Sequence, residues 1–256
     1  MKKKVCMIGT GYVGLVTGSC LAEIGHDVIC VDKDKAKIDV LNAGGIPIYE
    51  PGLKQLVDRN RKRKRLRFTN NIKEGVRASD IVFIAVNTPP LPDGGADLSF
   101  VEACTREVAS HANGRKLLVE KSTVPVQTGE RISQTLQIIK TSGQAQLEVA
   151  SNPEFLREGS AIEDFLKPDR IVIGVQSKWA EKMLRDLYAP LKATVVVTDI
   201  KSAELIKHAS NSFLAMKISY INAIAVANGN SSVIWVGHNN GDLYVTSNGT
   251  GASPTW

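Results

Sequence analysis

The sequence predicts an α/β protein: a Rossmann-type, doubly wound, mostly parallel sheet, followed by one long helix and a short tail of different character. Three observations predict it. Short apolar runs alternate with stretches of helical apolar spacing as far as about residue 200, the pattern of strand–helix–strand units stacked on a parallel sheet. From 202 to about 227 apolar residues recur at helical spacing, and no proline interrupts them. From 229 onward the chain is rich in Gly, Ser, Asn and Thr and contains no Lys, Arg or Glu.

Each element has its own signal. Residues 5–8 form an apolar run that ends at Gly9, and residues 12–24 carry apolar positions at helical spacing. Residues 26–32 read as a second strand, 34–42 as a helix, and 46–52, with two prolines, as a loop. A polar helix follows to about residue 64. Further strands are expected at 66–69, 81–86, 116–119, 147–150, 170–175 and 194–197. Helices are expected near 98–111, 127–140 and 178–188. On the long helix the apolar positions are Leu205, Ile206, Ala209, Phe213, Leu214, Met216, Ile218, Ile221 and Ile224. In the tail, 233–236 and 243–246 read as two strands around Asn239-Asn240-Gly241, a good hairpin turn. Three segments result: 1–200 as an α/β domain, 201–228 as the start of a long helix, and 229–256 as an unrelated tail.

The glycine motif makes the first segment specific. Gly9-Thr10-Gly11-Tyr12-Val13-Gly14 is a G-x-G-x-x-G run, preceded by a strand and opening a helix. In such a run Gly9 permits the tight turn, Gly11 lets the backbone approach a pyrophosphate, and Gly14 lets helix and strand pack closely. The helix N-terminus then offers free N–H groups and a positive dipole end to phosphate. Asp32 follows Gly14 by 18 positions, at the end of the second strand. A carboxylate there accepts hydrogen bonds from ribose hydroxyls and repels a 2′-phosphate, so NAD is the expected cofactor. Lys37 pulls the other way, and the residues alone leave NADP open.

Composition narrows the function classes. Lys plus Arg is 32 and Asp plus Glu is 26, giving a net charge of +6. That suits an enzyme of anionic nucleotides and equally a weak nucleic-acid binder. Arg59 to Arg67 holds seven basic residues in nine, without interleaved aromatics or a known binding motif. It reads as a solvated helix face, and no nucleic-acid partner is expected. Cys6, Cys20, Cys30 and Cys104 have no C-x-x-C spacing, so no metal is expected. They read as buried thiols of a reducing compartment. No run reaches the roughly 20 apolar residues of a membrane span. A cytoplasmic protein without a membrane partner is the expectation.

Beyond the glycine motif, several blocks resemble one family. They include Ile46-Pro47-Ile48-Tyr49-Glu50-Pro51-Gly52-Leu53, Val86-Asn87-Thr88-Pro89-Pro90 and Glu120-Lys121-Ser122-Thr123-Val124-Pro125-Val126. Ser151-Asn152-Pro153-Glu154-Phe155-Leu156-Arg157-Glu158-Gly159, Lys167-Pro168-Asp169-Arg170 and Glu204-Leu205-Ile206-Lys207-His208-Ala209-Ser210-Asn211 follow in order. From residue 4 to about 225 the chain resembles the UDP-glucose/GDP-mannose dehydrogenase family, most of all its UDP-glucose branch. That resemblance implies NAD-dependent oxidation of the C6 hydroxyl of a nucleotide sugar, UDP-glucose foremost, to the carboxylate, with two NAD consumed. It also implies a homodimer built on the long helix.

The resemblance assigns roles as well. Gly9, Gly11, Tyr12, Val13 and Gly14 would cradle the dinucleotide, Asp32 and Lys37 would hold the adenosine ribose, and Thr88, Ser122 and Thr123 would lie along it near the nicotinamide. Glu154 would act with a water in proton transfer, Thr123 would also belong to the catalytic set, and Glu158 would touch cofactor or substrate. Phe155, Leu156 and Arg157 would line the substrate. Lys207 and Asn211, four apart on the long helix, would stabilise the oxyanion developing at C6. Glu154 and Glu158 are also four apart, and a helical turn starting there would put both carboxylates on one side. Two such neighbours push one pKa upward, which suits acid–base work.

There are departures. The family's nucleophilic cysteine sits in a Gly-Gly-Ser-Cys-Phe-Pro-Lys-Asp block after the long helix, and no such block occurs in these 256 residues. The UDP-binding domain is not among them either. The expectation is therefore a truncated chain that does not complete the reaction, with a non-catalytic NAD-binding module as the alternative. Gln127 stands where the family often has glycine.

Overall fold

A computed structural model describes residues 2–139, 145–226, 234–237 and 243–246. The chain divides into two units, Met1–Lys207 and His208–Trp256.

The first unit is the α/β layer structure. Its first half runs β1 (Lys4–Ile8), α1 (Tyr12–Glu23), β2 (Asp27–Val31), α2 (Lys35–Asn42), α3 (Leu53–Lys62), β3 (Leu66–Thr69), α4 (Ile72–Arg77), β4 (Ile81–Ile84), α5 (Ser99–His111) and β5 (Arg115–Glu120). Then follow α6 (Thr128–Ile138), β6 (Gln146–Ser151), α7 (Ala161–Leu166), β7 (Arg170–Gly174), α8 (Lys178–Tyr188), β8 (Thr194–Thr198) and the start of α9 (Ile200–Ala223). The strands form an eight-stranded sheet in the order β3-β2-β1-β4-β5-β6-β7-β8. Pairing is parallel except at β6–β7, where Ser151 and Gly174 meet antiparallel. Chain order reverses between β1 and β4, the switch point at which open α/β sheets bind ligands.

Alternation along each strand builds two cores. Val5, Met7, Ile81, Phe83, Leu117 and Val119 face one layer. Cys6, Ile8, Val82, Ile84 and Leu118 face the other. The parallel strands are thus apolar on both sides, as a covered sheet requires. Each fully buried Phe, Leu or Ile contributes roughly 1.5–3 kcal/mol. In α1 every residue from 14 to 22 is buried, because the helix lies between the sheet and helices α3 and α7. Gly18 permits that approach, since a Cβ there would lie 2.6 Å from the Cys30 sulfur.

Caps fix the helix starts. Asp34 accepts from the amides of Ala36 and Lys37, Asn71 from that of Glu74, and Ser177 from that of Ala180. Two short helices, α4 and α7, were not legible in the apolar spacing, because six residues make less than two turns.

The second unit contains the rest of α9 and an antiparallel sheet of β9 (Ile224–Val226), β10 (Ile234–Gly237) and β11 (Leu243–Thr246), in the order β11-β10-β9. The long helix is thus shorter than its periodicity suggests. It ends at Ala223, and residues 224–226 pair as a strand with β10. The β-branched Ile224 and Val226 suit a strand as well as a helix face, so apolar spacing alone did not place the boundary. The two tail strands pair in register Ile234 with Thr246 and Gly237 with Leu243. The turn at Asn239-Asn240-Gly241 lies outside the described residues. No helix among the described residues is long and apolar enough to cross a membrane.

Candidate active site

The glycine loop sits at the switch point between β1 and β4. Gly9 has φ +105°, the left-handed region, and a Cβ on it would stand 2.3 Å from the Ala85 carbonyl oxygen. A Cβ on Gly14 would stand 2.0 Å from the Gly9 oxygen. These two glycines hold the turn itself. Gly11 differs: the nearest atom to a Cβ there is Asn87 Oδ1 at 3.8 Å. Its free space is a cradle open to a ligand rather than filled by protein. The residues therefore fit a dinucleotide, whose pyrophosphate would lie against Gly11 and the first amides of α1.

Asp32 follows β2 directly. Its Oδ2 accepts from the Thr10 amide at 2.8 Å and the Thr10 hydroxyl at 2.7 Å, and its Oδ1 accepts from the Asp34 amide. Burial alone would raise this carboxyl, but those hydrogen bonds and the nearby Lys37 hold it below the usual carboxylate range. The edge of β2 thus keeps a fixed negative charge.

A cavity of ≈ 380 Å³ runs from this loop across the carboxyl ends of β4 and β5, lined by Gly11, Tyr12, Val13, Thr88, Ser122, Thr123, Lys121 and Glu154 among others. Thr88 donates to the Thr123 carbonyl at 2.8 Å, and Ser122 to the Ile84 carbonyl at 3.4 Å. A second cavity of ≈ 610 Å³ is lined by Phe155, Leu156, Arg157, Lys167, Arg170, Tyr188 and others. Both cavities reach Lys121 and Glu154. The structure brings together residues from the loop after β5, the loop after β6, and α9 at that junction.

Glu154 is the centre of the junction. Lys207 Nζ lies 3.0 Å from Glu154 Oε1, and both side chains are about nine-tenths buried. Thr123 donates to the same oxygen at 3.4 Å. Glu154 Oε2 is buried without a hydrogen-bond partner, which leaves one carboxylate oxygen for a ligand or water. On the wall of the larger cavity, Phe155 lies under two cations, Arg170 at 5.0 Å and Lys207 at 5.7 Å from the ring centroid. Arg157 pairs with Asp164 at 2.6 Å.

Two expectations are corrected here. Residues 152–157 belong to no helix or strand, and α7 begins only at Ala161. Glu154 and Glu158 therefore share no helical face: Glu154 is largely buried, and Glu158 is exposed and lines neither cavity. Pro153 lacks an amide hydrogen and biases Asn152 away from the helical region, so no helical turn starts directly after β6. The carboxylate pair exists, but Glu154's neighbour is Glu120. Burial, with Glu154 and Glu204 close by, pushes Glu120 well above the usual carboxylate range. Asn211 lies one turn beyond Lys207 along α9, in the second unit, and is exposed.

A family model described as UDP-glucose/GDP-mannose dehydrogenase family, NAD binding domain, matches residues 3–192. The chain belongs to this family. It is 52% identical over 223 residues to the UDP-glucose 6-dehydrogenase TuaD of Bacillus subtilis, covering 87% of this chain and 48% of that one. It is 53% identical over 228 residues to a UDP-glucose 6-dehydrogenase of Rhizobium meliloti, covering 87% and 52%. A solved UDP-glucose dehydrogenase from Pyrobaculum islandicum superposes with a TM-score of 0.82 at 46% identity, covering 86% of this chain and 51% of that one. The chain spans about half the length of the curated relatives it matches. Its cofactor is NAD, and the half it shares with the family is the NAD-binding one.

Several site residues escaped the sequence reading. Glu50, inside the Tyr-Glu-Pro-Gly-Leu block, accepts from Tyr12 OH and from the amides of Gly159 and Ala161, both at 2.8 Å. It ties the first turn of α1 to the loop that follows Glu158. Glu204 accepts from the amides of Gln127 and Gly129, both at 2.7 Å, and so anchors α9 to the start of α6. Gln127 itself has φ +81°, a left-handed backbone that glycine adopts at least cost. Asn152, Tyr188 and Lys121 form a buried group behind Glu154. The Asn-Pro-Glu block carried a signal for Asn152, whereas Tyr188 had none. The basic run is largely spent on internal pairs: Arg59, Arg63 and Arg65 surround Glu23, and Arg67 pairs with Glu74.

Proposed function

We propose that this chain is the dinucleotide-binding part of a nucleotide-sugar 6-dehydrogenase whose substrate is UDP-glucose. The observation that carries the reading is the convergence of Thr123, Glu154 and Lys207 where a cavity leading from the glycine loop meets a second, larger one. The names of the relatives point to UDP-glucose as the sugar nucleotide.

Bound NAD supplies the hydride acceptor. The chain's own residues do the rest. Asp32 and Lys37 hold the adenosine ribose, and Thr88, Ser122 and Thr123 line the path toward the nicotinamide. Phe155, Leu156 and Arg157 form the sugar-nucleotide side, and Glu158 contacts cofactor or substrate at its rim. Glu154, through its unpartnered oxygen, orders a water and takes the proton of the C6 hydroxyl. Lys207 opposes the negative charge that develops on that oxygen. In the same reading residues 1–200 form the NAD-binding domain, 201–228 begin a dimerisation helix, and 229–256 are not family sequence. The exposed Phe213, Leu214 and Met216 on α9 support pairing with a second copy, and the four free thiols support a cytoplasmic setting.

A second reading is an NAD-binding module without the full reaction, and the cysteines favour it for these 256 residues. Burial pushes the Cys30 thiol up to about 12 and Cys104 up to about 11, and raises Cys6 and Cys20 further. None offers a thiolate at neutral pH for covalent capture of an aldehyde.

The test is absorbance of NADH with purified chain, NAD and UDP-glucose, followed by NAD titrations with and without UDP-glucose. The expected result is no sustained turnover, with NAD affinity that depends on UDP-glucose. Two NADH formed per UDP-glucose consumed, over repeated turnovers, would show that the second, carboxylate-forming step runs without a family-type cysteine. NAD binding that ignores UDP-glucose would favour the bare module.

A further inference from the structure

Lys121 is a buried ammonium that the roles above do not use. It is 3% exposed, yet it lines both cavities. Its Nζ lies 3.3 Å from both the carbonyl oxygen and the Oδ1 of Asn152. Asn152 is itself clamped: its Nδ2 donates to the Val172 carbonyl at 2.8 Å, and its Oδ1 accepts from Tyr188 OH at 2.5 Å. Strands β6 and β7 and helix α8 thus hold the acceptor that holds the ammonium. A lysine so fixed gains little from general solvation, and its charge acts on whatever fills the junction.

The charges around it are few. Glu120 comes from β5, Glu154 from the loop after β6, and Lys207 from α9. Burial raises the Glu120 carboxyl well above the usual carboxylate range, and Glu154 is paired with Lys207. Lys121 is then the cation of the group without a carboxylate of its own within ion-pair distance among the described residues.

We propose that Lys121 is a binding-site cation that reads the charge of the nicotinamide ring. Held by Asn152 where the two cavities meet, it favours the uncharged reduced ring over the positively charged oxidised one, and it favours an anionic oxygen on the sugar side. The proposal rests on the reading that the smaller cavity takes the nicotinamide end of NAD. It adds a second ammonium to the one on α9, which reaches the junction through its ion pair with Glu154. Burial, reinforced by Lys207, pushes the Lys121 ammonium down to about 8 despite Glu154 and Glu120. As pH rises through that value the charge disappears, and the advantage of the reduced ring disappears with it.

The experiment compares the dissociation constants of NAD and NADH for the unaltered chain, Lys121→Met and Lys121→Arg, between pH 7 and 9. Circular dichroism checks each fold. At pH 7, Lys121→Met is expected to shift the NAD-to-NADH ratio toward NAD by roughly tenfold. In the unaltered chain the ratio is expected to move the same way as pH rises through about 8. Lys121→Arg, whose charge does not titrate, keeps the pH 7 ratio and removes the pH step. A ratio that is unchanged in a folded Lys121→Met chain overturns the proposal. If the methionine variant does not fold, the arginine variant decides, because a pH step that survives in it also overturns the proposal. An unaltered chain that binds neither form sinks the nicotinamide-site reading itself, which is a separate outcome.

Discussion

The two ends of the cofactor cavity are built in opposite ways. At the dinucleotide end, Gly9 to Gly14 and Asp32 come from one strand–turn–helix–strand unit, and backbone geometry does the work. At the reaction end, Lys121, Glu154 and Lys207 come from the loop after β5, the loop after β6 and α9, and only the folded sheet brings them together. The first end is specified by local sequence, and at Gly9 and Gly14 it has no room for an added methyl. The second is specified by topology and is held by side-chain hydrogen bonds. Changes at the turn glycines Gly9 and Gly14 should therefore break fold and binding together, and changes at the second end should separate them.

The largest effect is expected from Gly14→Ala. The new methyl would lie 2.0 Å from the Gly9 oxygen, and backbone, unlike a flexible side chain, cannot step aside. A loss of about 3 kcal/mol or more is expected, read as a lowered thermal midpoint, together with loss of NAD binding. A stable, NAD-binding Gly14→Ala chain would break the comparison at its stronger end.

A smaller and different effect is expected at the other end. Lys207→Met leaves Glu154, nine-tenths buried, without its ion-pair partner. Breaking such a pair costs about 3 kcal/mol, the low end of the range for buried pairs, measurable by urea unfolding. Lys207 does not line the cofactor cavity, so NAD affinity is expected to stay within about threefold, a Coulombic change diluted by distance. Loss of NAD binding in a folded Lys207→Met chain would show that the two ends are not separable.

This contrast also explains what was legible in the sequence. Strands β1, β2, β4 and β5 announced themselves as apolar runs because both faces of the sheet are covered. The glycine loop was legible because its chemistry is contiguous. Glu154 and Lys207 were reached only through family resemblance, since nothing in the spacing of residues 154 and 207 says that they touch. The helical turn expected at 154–158 failed because Pro153 and the exit from β6 override an i, i+4 spacing. Glu50, Glu204 and Tyr188 were missed for a shared reason: each acts across more than 30 positions of sequence on backbone amides or on an amide side chain. The end of α9 was misplaced because Ile224 and Val226 satisfy a helical stripe and a strand equally well.

The most direct test of the account uses Gly11, the one glycine of the loop whose missing side chain leaves space rather than relieving a clash. A methyl there meets only Asn87 Oδ1 at 3.8 Å, so Gly11→Ala should fold with a thermal midpoint close to that of the unaltered chain. The same methyl would stand where the pyrophosphate approaches the backbone. Calorimetric titration with NAD is expected to give saturable one-site binding to the unaltered chain and at least tenfold weaker binding to Gly11→Ala, roughly 1.4 kcal/mol or more. Equal affinity of the two folded chains for NAD would contradict the placement of the dinucleotide, and with it the site built along that cavity.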